Sequence, residues 1–202
     1  MIEKKQSLLL VVSAPSGAGK STLCNRLIEK FHGMIYSISC TTRAPRGEEK
    51  NHEHYHFLSK EEFSARVSQG EFLEHAEVHG NFYGTLKQTV EDALAGGRDI
   101  IMDIDVQGAA QIREACGRLP TEDPVQQGFV DIFIAPPSME ELRQRLCDRS
   151  TDTEEVIENR MRNAEEEMKH RDLYRHRVIN DDLEEALEKL VRIVEKEHRS
   201  RS

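Results

Sequence analysis

The chain has 202 residues, a net charge of −9, 37% hydrophobic and 32% charged residues. That length suits one α/β domain with small excursions, and the acidic balance argues against a general binder of nucleic-acid polymers, which needs a basic surface. A mononucleotide needs only a local cluster of donors and cations, so the overall sign leaves that class open.

The first element is the apolar run Leu8 to Val12, a strand buried on both faces. It is far too short for a membrane span or for the hydrophobic region of a secretory signal, despite Lys4 and Lys5 before it. Cys24, Cys40, Cys116 and Cys147 form no C-x-x-C pair and read as reduced thiols. The expected compartment is therefore the cytoplasm, with no membrane partner.

After the strand comes Ala14-Pro15-Ser16-Gly17-Ala18-Gly19-Lys20-Ser21, then a helix with Leu23, Leu27 and Ile28 at helical spacing. This fits the phosphate-loop pattern G-x-x-x-x-G-K-[ST], with Ala14 in place of the first glycine. Backbone N–H groups of residues 14–22, Thr22 included and Pro15 excepted, would cradle nucleotide phosphates, in a kind of loop shared by ATPases, GTPases and kinases. Lys20 would reach the β- and γ-phosphates, and the Ser21 hydroxyl would hold Mg²⁺.

From about 35 to 85 the texture changes to a small mixed insertion. Strands are expected at Ile35 to Ile38, His54 to Leu58 and Phe72 to Val78, with a short helix over 60–68. His52, His54 and His56 alternate and read as a solvated strand face rather than a metal site. A helix over about 86–95 stops at Gly96-Gly97, followed by a buried strand (99–104) and a helix from near Gln107. Asp103 and Asp105 end that strand, where a carboxylate that orients Mg²⁺ belongs. Pro120 to Gly128 reads as an exposed loop, and a strand follows over 129–134. Ser138, with Glu141 three residues on, caps a long helical region over 138–171 that is interrupted near Ser150 to Asp152. A strand (Arg177 to Asn180) and a helix (182–198) complete the pattern. Strands alternating with helices imply an α/β fold, its mostly parallel sheet covered on both faces.

A second cluster surrounds Arg43 and Arg46, two cations three residues apart that can hold a phosphate from two sides. With S-A-P-S-G-A-G-K-S-T, T-T-R-A-P-R, F-L-E-H-A-E, G-N-F-Y-G-T, D-I-D-V-Q-G, I-A-P-P-S and V-I-N-D-D in order, the sequence resembles the guanylate kinases from about residue 7 to 196. The resemblance implies a P-loop nucleoside monophosphate kinase core (about 7–38, 86–137 and 172–198), a GMP-binding region (39–85) and a helical lid (138–171). It implies ATP and GMP as substrates, dGMP as a further acceptor, and a place in purine nucleotide metabolism, with monomer and homodimer both open.

By the same resemblance Arg43, Arg46, Tyr55 and Tyr83 bind the GMP phosphate, while Ser39, Glu74 and Thr85 read guanine. Asp103 is the acceptor-site aspartate, and Ser21 with Asp105 serves the metal. Asn180 lies by the ATP adenine, and Arg145, Arg149 and Arg160 join Lys20 as the catalytic cations. His52 stands where a glycine is common. A non-catalytic phosphopeptide-binding module and a kinase of another phosphorylated acceptor are the rivals; a GTPase would need an N-K-x-D motif, which is missing from the sequence.

Overall fold

The computed structural model describes residues 6–78, 80–148 and 153–201. Strand β1 (Leu9–Ser13) is buried along its whole length. It lies at the centre of a parallel sheet with β2 (Ile35–Tyr36) and β7 (Ile100–Asp103) on one side, and β8 (Phe129–Ala135) and β9 (His176–Ile179) on the other. Pleating sends alternate side chains to opposite faces. Leu8, Leu10 and Val12 meet Leu23 and Leu27 of α1 (Lys20–Lys30) and Leu187, Leu190 and Val194 of α8 (Leu183–Arg199). Leu9 and Val11 meet α3 (Lys87–Ala95), α4 (Val106–Arg118) and the short α5 (Pro124–Gly128). Each fully buried leucine or valine stabilises this double-sided core by roughly 1.5–3 kcal/mol. No helix among the described residues is long and apolar enough to cross a membrane.

The insertion carries its own four-stranded mixed sheet, with β3 (Cys40–Thr41) between β4 (His56–Phe57) and β6 (Asn81–Leu86), and β5 (Phe72–Val78) at the outer edge. Its small core is aromatic. Phe63 of α2 (Lys60–Ser68) stacks on Phe72 at 4.5 Å and on Phe82 at 5.5 Å. Ser59 caps α2 in a full capping box with Glu62, which satisfies two of the orphan donors at that helix start.

Several expectations are corrected. The strand read over 35–38 stops at Tyr36, and the one read over 54–58 is only His56–Phe57. His52 and His54 lie in the preceding turn, so the three histidines share no strand face; His52 has φ 66° and its Nδ1 is 2.8 Å from His56 Nδ1. Among the described residues no three metal-ligating side chains converge. Residues 120–128 are not all loop. Asp123 accepts from the Val125 N–H and Pro124 opens α5, which buries Val125 against the sheet. The helical region over 138–171 is α6 (Met139–Cys147) and α7 (Glu154–Met168), joined by the Arg143 ion pairs to Glu154 and Glu158. The break expected near Ser150 to Asp152 lies outside the described residues, as does Arg149.

Candidate active site

At the carboxyl end of β1 the chain turns through Gly17 (φ 94°) and Gly19 (φ 89°), the left-handed region that side chains disfavour. Neither position has room for one. A Cβ on Gly17 would lie 2.8 Å from Leu146 Cδ2, and one on Gly19 would strike the Asn180 amide. Ala14 is buried and takes ordinary backbone, so the missing glycine costs nothing there. Asn180 donates to Ala18 O at 2.8 Å and so fastens the turn after β9 to this loop. No side chain caps α1, whose first N–H groups face the loop beside Lys20, Ser21 and the exposed Thr22.

The end of β7 answers this loop. Asp103 holds Lys20 Nζ at 2.6 Å through Oδ1 and accepts from Ser21 Oγ at 2.7 Å through Oδ2. Lys20 also donates to Ile104 O at 2.8 Å. Asp105, read from sequence as the metal partner of Ser21, instead caps α4 by accepting from Gly108 N at 2.8 Å. The carboxylate that meets Ser21 is that of Asp103.

Two cavities open here. A cleft of about 810 Å³ runs over residues 14–17, 19–22, Ser39, Tyr55, Asp103 and Asp105. A pocket of about 170 Å³ is lined by Ser39, Tyr55, Glu74, Tyr83, Asp103 and Asp105 among others. Glu74 projects to the buried side of β5, between Phe72 and Ala76, just after an irregularity in the pairing with β6. Thr85 Oγ1 donates to its Oε1 at 2.9 Å. Burial pushes the Glu74 carboxyl up to about 7, against the Thr85 hydrogen bond, with Asp105 adding to the rise. Gly108 makes the approach possible, since a Cβ there would lie 2.7 Å from Glu74 Oε2.

Arg43 stands 5.3 Å over the Tyr55 ring, whose centroid is 6.1 Å from that of Tyr83. Its guanidinium is held by Glu49 at 2.9 Å, and the other Glu49 oxygen accepts from the Arg46 backbone N–H at 2.8 Å. The Arg46 side chain is exposed and lines neither cavity. Arg145 of α6 points to the turn after β9, donating to Asn180 O at 2.9 Å and pairing with Glu141 at 3.0 Å. Arg160 is half-buried on α7. The structure thus gathers Lys20, Ser21 and Asp103 in one group and Ser39, Tyr55, Glu74, Tyr83 and Thr85 in another. Arg46, Arg145 and Arg160 line neither cavity, although Arg145 bonds Asn180, which in turn bonds the phosphate loop.

Sequence reasoning passed over Glu49, Gly108 and Glu167. Glu49 follows Arg46 by three residues, a spacing that could have signalled a local pair. Glu167 reads as ordinary helix charge, and only tertiary packing brings it to the cleft.

The model of the guanylate kinase family matches residues 6–197. The chain is similar to guanylate kinases of Clostridium perfringens strain SM101 (43% identical, covering 95% of this chain and 84% of the relative) and Dechloromonas aromatica (47%, covering 92% and 87%). Among solved structures it is similar to the guanylate kinase of Anaplasma phagocytophilum, with TM-score 0.75 and 36% identity over 96% of this chain and 87% of that one. The chain belongs to the guanylate kinase family, and is an enzyme that transfers phosphate from ATP to GMP, giving GDP.

Proposed function

We propose that the 810 Å³ cleft seats ATP, that the 170 Å³ pocket seats the guanine of GMP, and that transfer takes place where the two meet. The observation that carries this is the wall they share: Ser39, Tyr55, Asp103 and Asp105 line both cavities, so donor and acceptor phosphates can approach across the Asp103 carboxylate. Glu74, as carboxylate, accepts from guanine N1–H and the exocyclic amine, with Ser39 and Thr85 beside it. Adenine presents no such donor pair and would leave Glu74 buried and unpaired. Arg43, Arg46, Tyr55 and Tyr83 take the GMP phosphate once Glu49 releases Arg43. Since base and phosphate are the handles, dGMP is accepted too.

The loop amides of residues 14 and 16–22 and the Lys20 side chain take the donor phosphates, Pro15 shapes the loop without a donor of its own, and Asn180 lies by the adenine. The Ser21 hydroxyl and a carboxylate 2.7 Å away form a hard-oxygen pair suited to Mg²⁺, which binds through one or two protein oxygens plus phosphate. Asp103 is the first candidate, and Asp105 keeps one oxygen beyond its capping bond. When bound, the ion supplies charge neutralisation between the phosphates. Phosphoryl transfer through a loose transition state needs positioning and positive charge more than covalent chemistry. Lys20 supplies charge directly. Arg145, Arg149 and Arg160 approach when the lid (138–171) and the insertion (39–85) close, which also excludes water. The enzyme works in the cytoplasm, as its free cysteines suit.

The test is a kinetic split. Lys20→Ala lowers kcat on the order of 10²-fold or more with little change in KM for GMP. Glu74→Gln raises KM for GMP on the order of 10²-fold and narrows the preference for GMP over AMP. Undiminished discrimination in Glu74→Gln would remove the assignment of the pocket.

A further inference from the structure

The turn before Tyr55 carries strain. His52 has φ 66°, in the left-handed region, and among the described residues it is the only non-glycine there. Any side chain in that region is disfavoured relative to glycine, so the conformation persists only if neighbouring contacts hold it. A directed chain of hydrogen bonds does so. Phe57 N–H donates to Asn51 Oδ1 at 2.9 Å, which turns the Asn51 amide nitrogen toward His52 Nε2 at 3.1 Å. With Nε2 accepting, the His52 proton lies on Nδ1, and Nδ1 donates across 2.8 Å to His56 Nδ1. Burial, His52 and Arg66 push the His56 imidazole down, which favours the neutral ring that can accept. The backbone closes around the same centre: His52 N–H donates to Tyr55 O at 2.8 Å, and His56 N–H to Ser39 O at 2.9 Å. Tyr55 stands between these ties, its ring under Arg43 and beside Tyr83, and lines both cavities. His52 and His56 line neither.

We propose that His52 and His56 are positioning residues for the acceptor: their Nδ1–Nδ1 hydrogen bond holds the left-handed turn over 51–56 closed and thereby sets Tyr55 against the GMP phosphate. Neither histidine acts on the phosphate itself. The bond offsets the disfavoured backbone of His52, so the two side chains are energetically coupled. A turn that opens leaves the acceptor site complete in only a fraction of the molecules, which lowers apparent affinity by that fraction. Loss of the bond therefore weakens GMP and leaves the donor side untouched. The inference rests on the reading above that Tyr55 takes the GMP phosphate.

The experiment is steady-state kinetics of the full chain with ATP, Mg²⁺ and GMP at about pH 8, where free imidazoles are neutral. It compares wild type, His52→Ala, His56→Ala, His52→Gly and the double variant His52→Gly/His56→Ala. His52→Ala keeps the strained backbone and loses the bond, and His56→Ala removes the acceptor. Each is expected to raise KM for GMP about fivefold, with kcat and KM for ATP unchanged. His52→Gly needs no bond to hold the left-handed turn, so its KM stays within about twofold of wild type, and adding His56→Ala to it changes nothing more. That rescue and that non-additivity separate positioning through the bond from general damage to the turn. A wild-type KM in His52→Ala, or an equal rise from His56→Ala with and without His52→Gly, would overturn the proposal. An unchanged KM for GMP in Tyr55→Phe would overturn instead the reading of Tyr55 as a phosphate ligand, a different failure.

Discussion

Glu74 reaches the 170 Å³ pocket at the cost of burial, and its carboxyl is raised from 4.5 to about 7. Reading guanine requires the ionised form, so KM for GMP in wild type should rise roughly tenfold between pH 8 and pH 6. Glu74→Gln, with no titrating group there, should show a flatter profile; parallel profiles would detach the pH effect from this residue. The same shift affects stability. A carboxyl whose folded value lies above its unfolded value binds more protons when folded, so its contribution falls as pH rises from 4.5 to 7. Above pH 7 the buried charge costs about 3 kcal/mol without ligand. Denaturant titration should therefore find unliganded Glu74→Gln more stable than wild type at pH 8, with the gap closing near pH 4.5. Gly19 meets a steric limit instead. Gly19→Ala combines a φ of 89° with a collision against Asn180, and should cost about 1–3 kcal/mol of stability along with most ATP affinity. Thermal unfolding with and without ADP measures both.

The elements differ in how openly the sequence announces them. β1, β7 and β8 are largely apolar because both their faces are buried, broken only by Ser13, Asp103 and the buried Asp131, and a reading of local sequence finds them. β3 and β6 escape it. Cys40–Thr41 is two residues long, and Asn81–Leu86 contains a glycine and polar groups that look like a loop until paired with β5. The phosphate-loop residues are legible because their motif follows the apolar strand β1, whereas Glu74 and Thr85 are named only through the family resemblance, Thr85 lying on the very strand β6 that local sequence hides. Glu167 is not legible, because a charge on a helix looks solvated until tertiary packing brings it to a cleft. Gly108 shows an element serving a site. Alanine is the better helix former by about 1 kcal/mol, yet a Cβ at that point of α4 would push on Glu74 Oε2. Gly108→Ala should therefore raise KM for GMP at least tenfold with kcat changed much less; an unaltered KM would show that α4 yields freely.

On the scale of the molecule, β1 is the pivot between two halves with different tasks. The parallel sheet ends at the phosphate loop and Asp103, while the insertion builds a separate aromatic core that holds the pocket wall. Open parallel sheets offer a crevice at the carboxyl ends where strand order reverses, and here the phosphate loop and Asp103 follow or end the neighbouring strands β1 and β7. The insertion and the pair α6 and α7 each carry a hydrophobic cluster of their own beside the two that cover the sheet. The most direct measurement of the whole account is ADP formation in a coupled assay with ATP and Mg²⁺, offering GMP, AMP, UMP, CMP and ribose 1,5-bisphosphate in turn. The account predicts turnover with GMP at least about 10²-fold above every other acceptor, collapsing in Glu74→Gln. Comparable turnover with AMP, or GMP binding with no phosphate transferred, would contradict it.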